Sequence, residues 1–178
     1  MRIVGGTLKG RRFNPASALP VRPTTDMAKE GLFNILRNLV DFEDVVVLDL
    51  FSGTGNIGFE FISRGAKHVT MVEKNPKSVA FISQTAKAFE ISNLSVLQAD
   101  VFAFLGRVKA GYDIVFADPP YDLSQISLLP KLICGQSVLK EGGLFILEHP
   151  QTYHFEEYPY FQQQRRYGKV NFSFFHKV

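Results

Sequence analysis

The chain has 178 residues, of which 46% are hydrophobic, and a net charge of +3. This length and composition predict one compact domain with a full core and exclude a mainly disordered chain. The single cysteine, Cys134, excludes an internal disulfide and fits a reducing, cytoplasmic location, while no stretch reaches the roughly 18 apolar residues of a membrane span.

Positive charge is concentrated near the amino terminus. Residues 1–40 contain seven Lys or Arg against Asp26 and Glu30, which gives this segment a charge of +5. Such a segment is typical of a surface that binds a polyanion, although a solvated basic surface has the same composition. Elsewhere, no Cys/His cluster has metal-ligand spacing, so we expect no metal.

The first part of the chain is predicted to form a small appendage to the rest of the domain. Weak alternation and glycines in residues 1–13 predict a small β-hairpin, and a proline-bearing loop follows over residues 14–23. Thr24, Thr25 or Asp26 can cap a helix that runs to about Leu39. The sequence therefore predicts a single domain over 1–178, with a basic appendage at 1–23 and a body at 24–178.

Apolar runs and helical periodicities alternate along the body. The predicted strands cover residues 45–50, 68–72, 94–98, 113–117 and 144–148. The predicted helices cover residues 57–63, 76–89, 102–108 and 126–139, and Gly142-Gly143 is expected to close the last one. This order predicts a parallel sheet with helices on both faces, followed by an antiparallel edge hairpin over 162–167 and 170–176.

A glycine-rich loop follows the first predicted strand. The segment LDLFSGTGNIG, residues 48–58, contains Gly53-x-Gly55-x-x-Gly58 between a strand and a helix. Glu73 lies twenty positions beyond Gly53, at the end of the next strand, where a carboxylate can accept both hydroxyls of a ribose. The pattern predicts a nucleoside site, although glycines at this spacing can also serve packing alone.

Two further acids bear on which nucleoside binds. Asp49 stands at the end of the strand before the loop, where it would attract the cationic S-adenosylmethionine and repel the pyrophosphate of NAD. Asp100, followed by Val101, can reach an adenine amine or cap the helix that begins there. An NAD-dependent oxidoreductase stays open as an alternative because it uses the same glycines.

The segment FADPPYD, residues 116–122, ends the fourth predicted strand. Pro119-Pro120 forbids both strand and helix from continuing, and the residue before a proline is pushed to an extended conformation. Asp118 is therefore expected at the carboxyl edge of the sheet, where open α/β sheets bind ligands. The alternative is a strand-ending turn with a solvated aspartate.

These motifs together resemble the class I S-adenosylmethionine-dependent methyltransferases, and more closely the RsmD family, which methylates the exocyclic N2 amine of a guanine in 16S ribosomal RNA. The segments MRIVGGTLKGRRF, RPTTDMAKEGLFNIL, VLDLFSGTGNIGFEFISRGA and DIVFADPPY occur in that family's order. The resemblance implies a Rossmann-like α/β fold, S-adenosylmethionine as cofactor, S-adenosylhomocysteine as product and no metal.

The resemblance also implies roles for individual residues. The expected cofactor-binding residues are Asp49, Phe51, Ser52, Gly53, Thr54, Gly55, Glu73, Asp100, Val101 and Asp118. The expected catalytic residues are Asp118, Pro119, Pro120 and Tyr121. The expected contacts to RNA are Arg2, Lys9, Arg11, Arg12, Arg22 and Thr24. The partner would be ribosomal RNA in a small-subunit assembly particle, with ribosomal proteins as candidate partners and no membrane. Met27 stands where the family often has arginine, and Arg22 either replaces that contact or pairs with Asp26.

The chemistry of an aryl amine explains why the family needs such a segment. The amine is a poor nucleophile because its lone pair is delocalised into the ring. The Asp118 carboxylate and the Pro119 carbonyl can each accept one N–H and direct the lone pair outward, while Tyr121 stacks on the base. The same acceptors would serve an adenine-N6 methyltransferase acting on DNA or another RNA. A non-catalytic ribosome assembly factor with this fold is a further alternative.

Overall fold

The strands and helices follow the predicted alternation. We describe a computed structural model over residues 1–15, 24–109 and 111–178. Its strands are β1 (Val46–Leu50), β2 (His68–Glu73), β3 (Leu94–Gln98), β4 (Tyr112–Ala117), β5 (Leu139–His149), β6 (Phe161–Tyr167) and β7 (Val170–His176). Its helices are α1 (Asp26–Leu36), α2 (Asn56–Ser63), α3 (Pro76–Ala88), α4 (Val101–Leu105) and α5 (Leu129–Cys134), with 3₁₀ turns at Phe42–Asp44 and Ile126–Leu128.

The strands of the described chain form one sheet in the order β3-β2-β1-β4-β5-β7-β6. The first five pair in parallel, whereas β7 is antiparallel to both β5 and β6. The prediction of a parallel sheet with an antiparallel edge hairpin is confirmed. The chain proceeds outward from β1 to β3 and then returns beside β1 as β4, so the topological switch point lies between β1 and β4. Ligands of open α/β sheets bind outside the carboxyl ends of the strands at such a point.

Two apolar layers cover the sheet, and alternate residues of each central strand face opposite layers. In β1, Val47 joins the core on one side and Leu48 the core on the other. The amino-terminal segment packs on the first layer through Ile3 and Phe13, both buried. None of the helices in the described ranges is long and apolar enough to cross a membrane.

Several predicted boundaries differ from the structure. The amino-terminal hairpin has a single antiparallel bridge, between Arg2 and Arg12, because turns occupy the residues between them. Helix α1 ends at Leu36 because the N–H groups of Asn38 and Leu39 bond three residues back, as in a 3₁₀ turn, and Leu39 is exposed.

The largest difference lies between α5 and β5. Gly142-Gly143 was expected to close a long helix, but the helix ends at Cys134 and the glycines lie inside β5. Gly142 N–H donates to the carbonyl of Lys177, and Lys177 N–H donates to that of Gly143. The antiparallel partner therefore extends past the end of β7 and holds the glycine pair in the sheet.

Candidate active site

A cavity opens at the carboxyl edge of the sheet and has a volume of about 1240 Å³. One side is lined by segments that follow β1, β2 and β3, including Phe51, Glu73 and Asp100. The other side is lined by segments at the ends of β4 and β5, including Asp118 and Glu148. The cavity therefore spans the switch point and has room for two ligands side by side.

The predicted catalytic segment forms one wall of this cavity. Asp118, Pro119, Pro120 and Tyr121 all line it. The N–H of Asp118 donates to the carbonyl of Leu50 at 3.4 Å, which ties the segment to the end of β1. A carboxylate, a carbonyl fixed by prolines and an aromatic ring thus share one surface, as expected, and their catalytic roles stay a prediction.

Two residues of the glycine loop reach the cavity. Phe51 and Gly53 line it. Phe51 has a φ of +58°, in the left-handed region, which costs about 1–3 kcal/mol for a residue with a side chain. This strained backbone turns the Phe51 ring toward Phe102, with 6.4 Å between ring centroids at 67°. Such local strain is concentrated at ligand sites.

Three other loop residues were expected to touch the cofactor, but the structure places them outside the cavity lining. Ser52 Oγ donates to the carbonyl of Asp49 at 2.6 Å, and Thr54 Oγ1 donates to Sδ of Met1 at 3.0 Å. The N–H of Gly55 donates to the carbonyl of Ser52 at 2.7 Å, at the start of α2. Their observed contacts are within the protein, and their contact with a cofactor stays a prediction.

Asp49 likewise does not line the cavity. Its side chain is buried, and Oδ2 accepts the N–H of Gly58 at 3.0 Å. A Cβ on Gly58 would overlap Met71 and lie 2.8 Å from Oδ2, so only glycine allows α2 this close to the sheet. The observed role of Asp49 is to hold the loop and α2 together, and contact with a methyl donor stays a prediction.

Asp49 predicts a pH-dependent stability. Burial raises its pKa to about 8, because the charged carboxylate is poorly solvated there. In the unfolded chain its pKa is about 4, so between these values the folded state binds more protons and loses stability as pH rises. We expect Asp49→Asn to gain stability relative to the unsubstituted chain as pH increases through this window. Urea denaturation at several pH values measures the difference in free energy of unfolding between the two proteins. A difference that does not change with pH would contradict the raised pKa of Asp49.

Glu73 lines the side of the cavity formed at the ends of β1, β2 and β3, and it is held by backbone groups. Its Oε2 accepts the N–H of Gly53 and its Oε1 accepts the N–H of Asn75, each at 2.8 Å. These bonds fix the carboxylate between β2 and the glycine loop. Because each oxygen has a second lone pair, the carboxylate can still accept hydroxyl groups of a ribose.

The end of β3 supplies further residues on the same side of the cavity. Asp100 and Val101 line the cavity, as does Phe102. Asp100 Oδ1 caps α4 by accepting the N–H groups of Phe102 and Ala103, which lowers the pKa of this carboxyl. The helix cap is therefore observed, and contact with an adenine amine, the other role that the sequence left open, stays a prediction. Phe102 was not predicted from the sequence, because an aromatic residue in a short apolar helix is usually part of the core.

Glu148 is the main cavity residue that sequence reasoning missed. It is 4% exposed, and its oxygens accept hydroxyl hydrogens from Tyr121 and Thr24, each at 3.3 Å. Ala117 pairs with Leu147 in the register of β4 and β5, so Asp118 and Glu148 follow at neighbouring strand ends. The sequence feature that could have identified Glu148 is its position at the end of a predicted buried strand, where Asp118 also lies.

Most of the residues predicted to contact RNA lie outside the cavity lining. The described basic residues of that set do not line the cavity: Arg2, Lys9, Arg11 and Arg12. Arg2 pairs with Asp26 at 2.7 Å, and the guanidinium of Arg11 lies 5.1 Å from the ring centroid of Phe89. Part of the predicted basic surface is therefore engaged within the protein, and its contact with RNA stays a prediction.

The remaining members of the predicted set lie at the cavity or outside the described residues. Thr24 lines the cavity beside Glu148. Arg22 lies outside the described residues. Met27, where the resemblance implies arginine, also lines the cavity and is 62% exposed.

The sheet order and the strand-end cavity define a class I, Rossmann-like methyltransferase fold. A Putative methyltransferase yhhF from Escherichia coli has the same fold, with a TM-score of 0.87, 25% identity, and coverage of 99% of this chain and 97% of that one.

Sequence relatives narrow the class to a family. The family model described as Conserved hypothetical protein 95 matches residues 1–176, and this chain belongs to that family, the RsmD methyltransferases. The Ribosomal RNA small subunit methyltransferase D of Haemophilus influenzae is 34% identical over 155 residues, 83% of this chain and 78% of that protein. The Putative rRNA methyltransferase YlbH of Bacillus subtilis is 32% identical over 153 residues, 84% of this chain and 82% of that protein. The predicted family is confirmed.

Proposed function

We propose that this methyltransferase transfers a methyl group from S-adenosylmethionine to the exocyclic N2 amine of a guanine in 16S ribosomal RNA. The names of its relatives support methylation of ribosomal RNA, and that of the Haemophilus influenzae protein specifies the small subunit. One observation supports guanine in particular: Asp118 and Glu148 lie at neighbouring strand ends and line the same cavity.

The side of the cavity at the ends of β1, β2 and β3 would hold the methyl donor, and we call it the donor side. Its residues suit a nucleoside without phosphate. Glu73 offers acceptors for a ribose, and Phe51 and Phe102 offer ring surfaces for a purine. Asp100 can accept an amine hydrogen at the same strand edge. When bound, the donor supplies an electrophilic methyl group on a positively charged sulfur.

The other side of the cavity activates the amine. The Asp118 carboxylate and the Pro119 carbonyl each accept one N–H, which gathers the nitrogen lone pair on the side away from these acceptors. The carboxylate also stabilises the positive charge that develops on nitrogen, and it takes the proton that the amine loses. Tyr121 stacks on the flipped base and replaces part of its lost stacking.

A second carboxylate distinguishes guanine from adenine. Beside its amine, guanine carries an N1–H donor, whereas adenine carries an N1 lone pair. With the amine at Asp118, the neighbouring ring nitrogen faces Glu148. A carboxylate accepts the guanine N1–H but repels the adenine lone pair, so the base that bonds to both acids is guanine.

Replacing this carboxylate by an amide should relax the discrimination. We expect Glu148→Gln to lower the preference for guanine over 2-aminopurine by about ten-fold or more, because the amide can donate to the bare N1. The 2-aminopurine base keeps the N2 amine but lacks the N1 hydrogen. Methyl transfer to short RNAs that carry one guanine or one 2-aminopurine measures the ratio of kcat/KM values.

Thr24→Val is the matched control for this experiment. It removes one hydroxyl that donates to Glu148 but leaves the carboxylate in place. Its overall rate can fall, but its ratio for the two bases should equal that of the unsubstituted enzyme. A Glu148→Gln ratio that is also unchanged would reject guanine recognition by this residue.

A deletion strain tests the function itself. We expect its 16S ribosomal RNA to lack one N2-methylguanine by mass spectrometry, and the unsubstituted gene to restore it. Unchanged ribosomal RNA together with lost N6-methyladenine in DNA would instead support the adenine alternative. Calorimetric titration with S-adenosylhomocysteine and with NAD separates the methyltransferase from an oxidoreductase.

A further inference from the structure

We propose that the end of the β6–β7 hairpin, residues 165–169, is a second RNA-binding surface, which holds phosphates beside the nucleotide in the cavity. This inference rests on the proposed function, since it assumes an RNA substrate. We call these residues, Arg165, Arg166, Tyr167, Gly168 and Lys169, the hairpin tip. They lie outside the basic segment 1–40.

The hairpin tip lies at the mouth of the cavity. Tyr167, Gly168 and Lys169 line it together with the catalytic segment. In the sheet order, β6 and β7 lie beyond β5, on the side of Asp118 and Glu148 and away from the donor side. A charge at the tip therefore faces the substrate side of the cavity.

The carboxyl-terminal segment is strongly basic. Residues 158–178 contain four Lys or Arg and no Asp or Glu. Arg165, Arg166 and Lys169 are exposed, and among the described residues no carboxylate lies within the 4.0 Å ion-pair distance of any of them. Since S-adenosylmethionine carries no phosphate, the anion that this surface fits is the RNA backbone.

The position of the tip is fixed by packing. The ring of Tyr167 lies directly against Gly31 of α1, where an added Cβ would overlap it. Gly168 has a φ of +63° and open space around it, as expected for a turn that projects from the body. Arg166 Nε donates to the carbonyl of Gly168 at 2.9 Å and braces this turn. The exposed charges of Arg165 and Lys169 are therefore presented on a rigid support.

Charges on an edge strand also protect a sheet against pairing with another strand. That role accounts for arginines along β6, but it does not require Lys169 to line the cavity. The placement of the turn at the cavity mouth favours RNA contact, because a base that has left its stack brings its own phosphates to this rim.

The double variant Arg165→Ala/Lys169→Ala tests the surface. We measure the affinity for a fluorescein-labelled 12-nucleotide single-stranded RNA between 50 and 300 mM KCl. Loss of two phosphate contacts should weaken binding about ten-fold near 150 mM salt and reduce the slope of log K against log salt by about 1.4. Arg166 is left in place because it braces the turn.

Two matched variants accompany it. Lys87→Ala/Arg107→Ala removes the same two charge types from exposed positions outside the cavity lining and should leave the salt slope unchanged. Lys9→Ala/Arg12→Ala measures the amino-terminal segment in the same way. A salt slope that is equal for the hairpin variant and the unsubstituted protein, with S-adenosylhomocysteine binding intact, would overturn the proposal.

Failure of this inference can be told apart from failure of the proposed function. If methyl transfer to ribosomal RNA occurs but the hairpin variant retains the full salt slope, only the surface is rejected. If the hairpin variant has a reduced salt slope but the unsubstituted protein transfers no methyl group to RNA, the RNA-binding surface is supported and the proposed function is rejected.

Discussion

Asp118→Asn should reduce kcat for methyl transfer by about 10²- to 10³-fold while leaving the affinity for S-adenosylhomocysteine within a few-fold. The substitution keeps one acceptor oxygen but removes the negative charge that stabilises the developing cation and takes its proton. The backbone of residue 118 is anchored through its own N–H to Leu50, so the segment should keep its position. Single-turnover rates under saturating donor and RNA measure the effect.

Asp122→Asn is the control for this prediction. Asp122 lies one residue beyond the catalytic segment, is exposed and does not line the cavity. The same chemical change there should leave kcat unchanged. If Asp118→Asn retained full turnover, the amine would not be activated by this carboxylate and the mechanism above would be wrong.

The sequence predicted the sheet well because the central strands are buried on both faces. Such strands appear as continuous apolar runs, and residues 114–117 are an example. The same reasoning failed at Gly142-Gly143, because a glycine pair after a helical pattern usually ends a helix. Its place in β5 depends on backbone bonds to Lys177, far away in sequence, which no local pattern encodes.

The candidate site was predicted in part for a similar reason. Asp118 and Glu73 were found because each follows a recognisable strand at a motif spacing. Glu148 fits no motif, and its importance follows from the sheet order, which places β5 beside β4. Asp49 was predicted to bind the ligand because its position at a strand end is visible in the sequence, whereas its bond with Gly58 is not, and contact with the ligand stays a prediction. Sequence alone identifies which residues lie at the edge, but not which way they face.

A buried ion pair between α1 and α2 was also invisible in the sequence. Lys29 and Glu60 are both fully buried, with 3.4 Å between Nζ and Oε2. Lys29 Nζ also donates to the carbonyl of Arg2 at 2.6 Å and to Oδ1 of Asn56 at 2.9 Å. Glu60 Oε2 accepts the N–H of Val4 at 2.9 Å. This pair joins the amino-terminal segment to the helix that follows the glycine loop.

Removing the cation should destabilise the protein strongly. Burial lowers the pKa of Lys29, and Glu60 opposes that shift by stabilising the charge. Lys29→Met leaves the Glu60 carboxylate buried, with Arg64 Nε at 2.9 Å as its remaining cation. We expect the free energy of unfolding to fall by about 3 kcal/mol, as measured by urea denaturation.

Two further variants make this prediction specific to the buried pair. Lys140→Met makes the same change at a lysine whose side chain is 46% exposed and which pairs with Asp113, so it should cost less than about 1 kcal/mol. In the double variant Lys29→Met/Glu60→Gln neither of the two fully buried charges remains, and the cation that loses its partner is Arg64, whose side chain is 16% exposed. Its cost should therefore be smaller than the sum of the two single costs. If the pair matters through its charges, each single variant leaves one charge without its partner, and the two single costs together exceed the cost of the double variant. Additive costs would instead show that Lys29 stabilises the protein through the packing of its side chain.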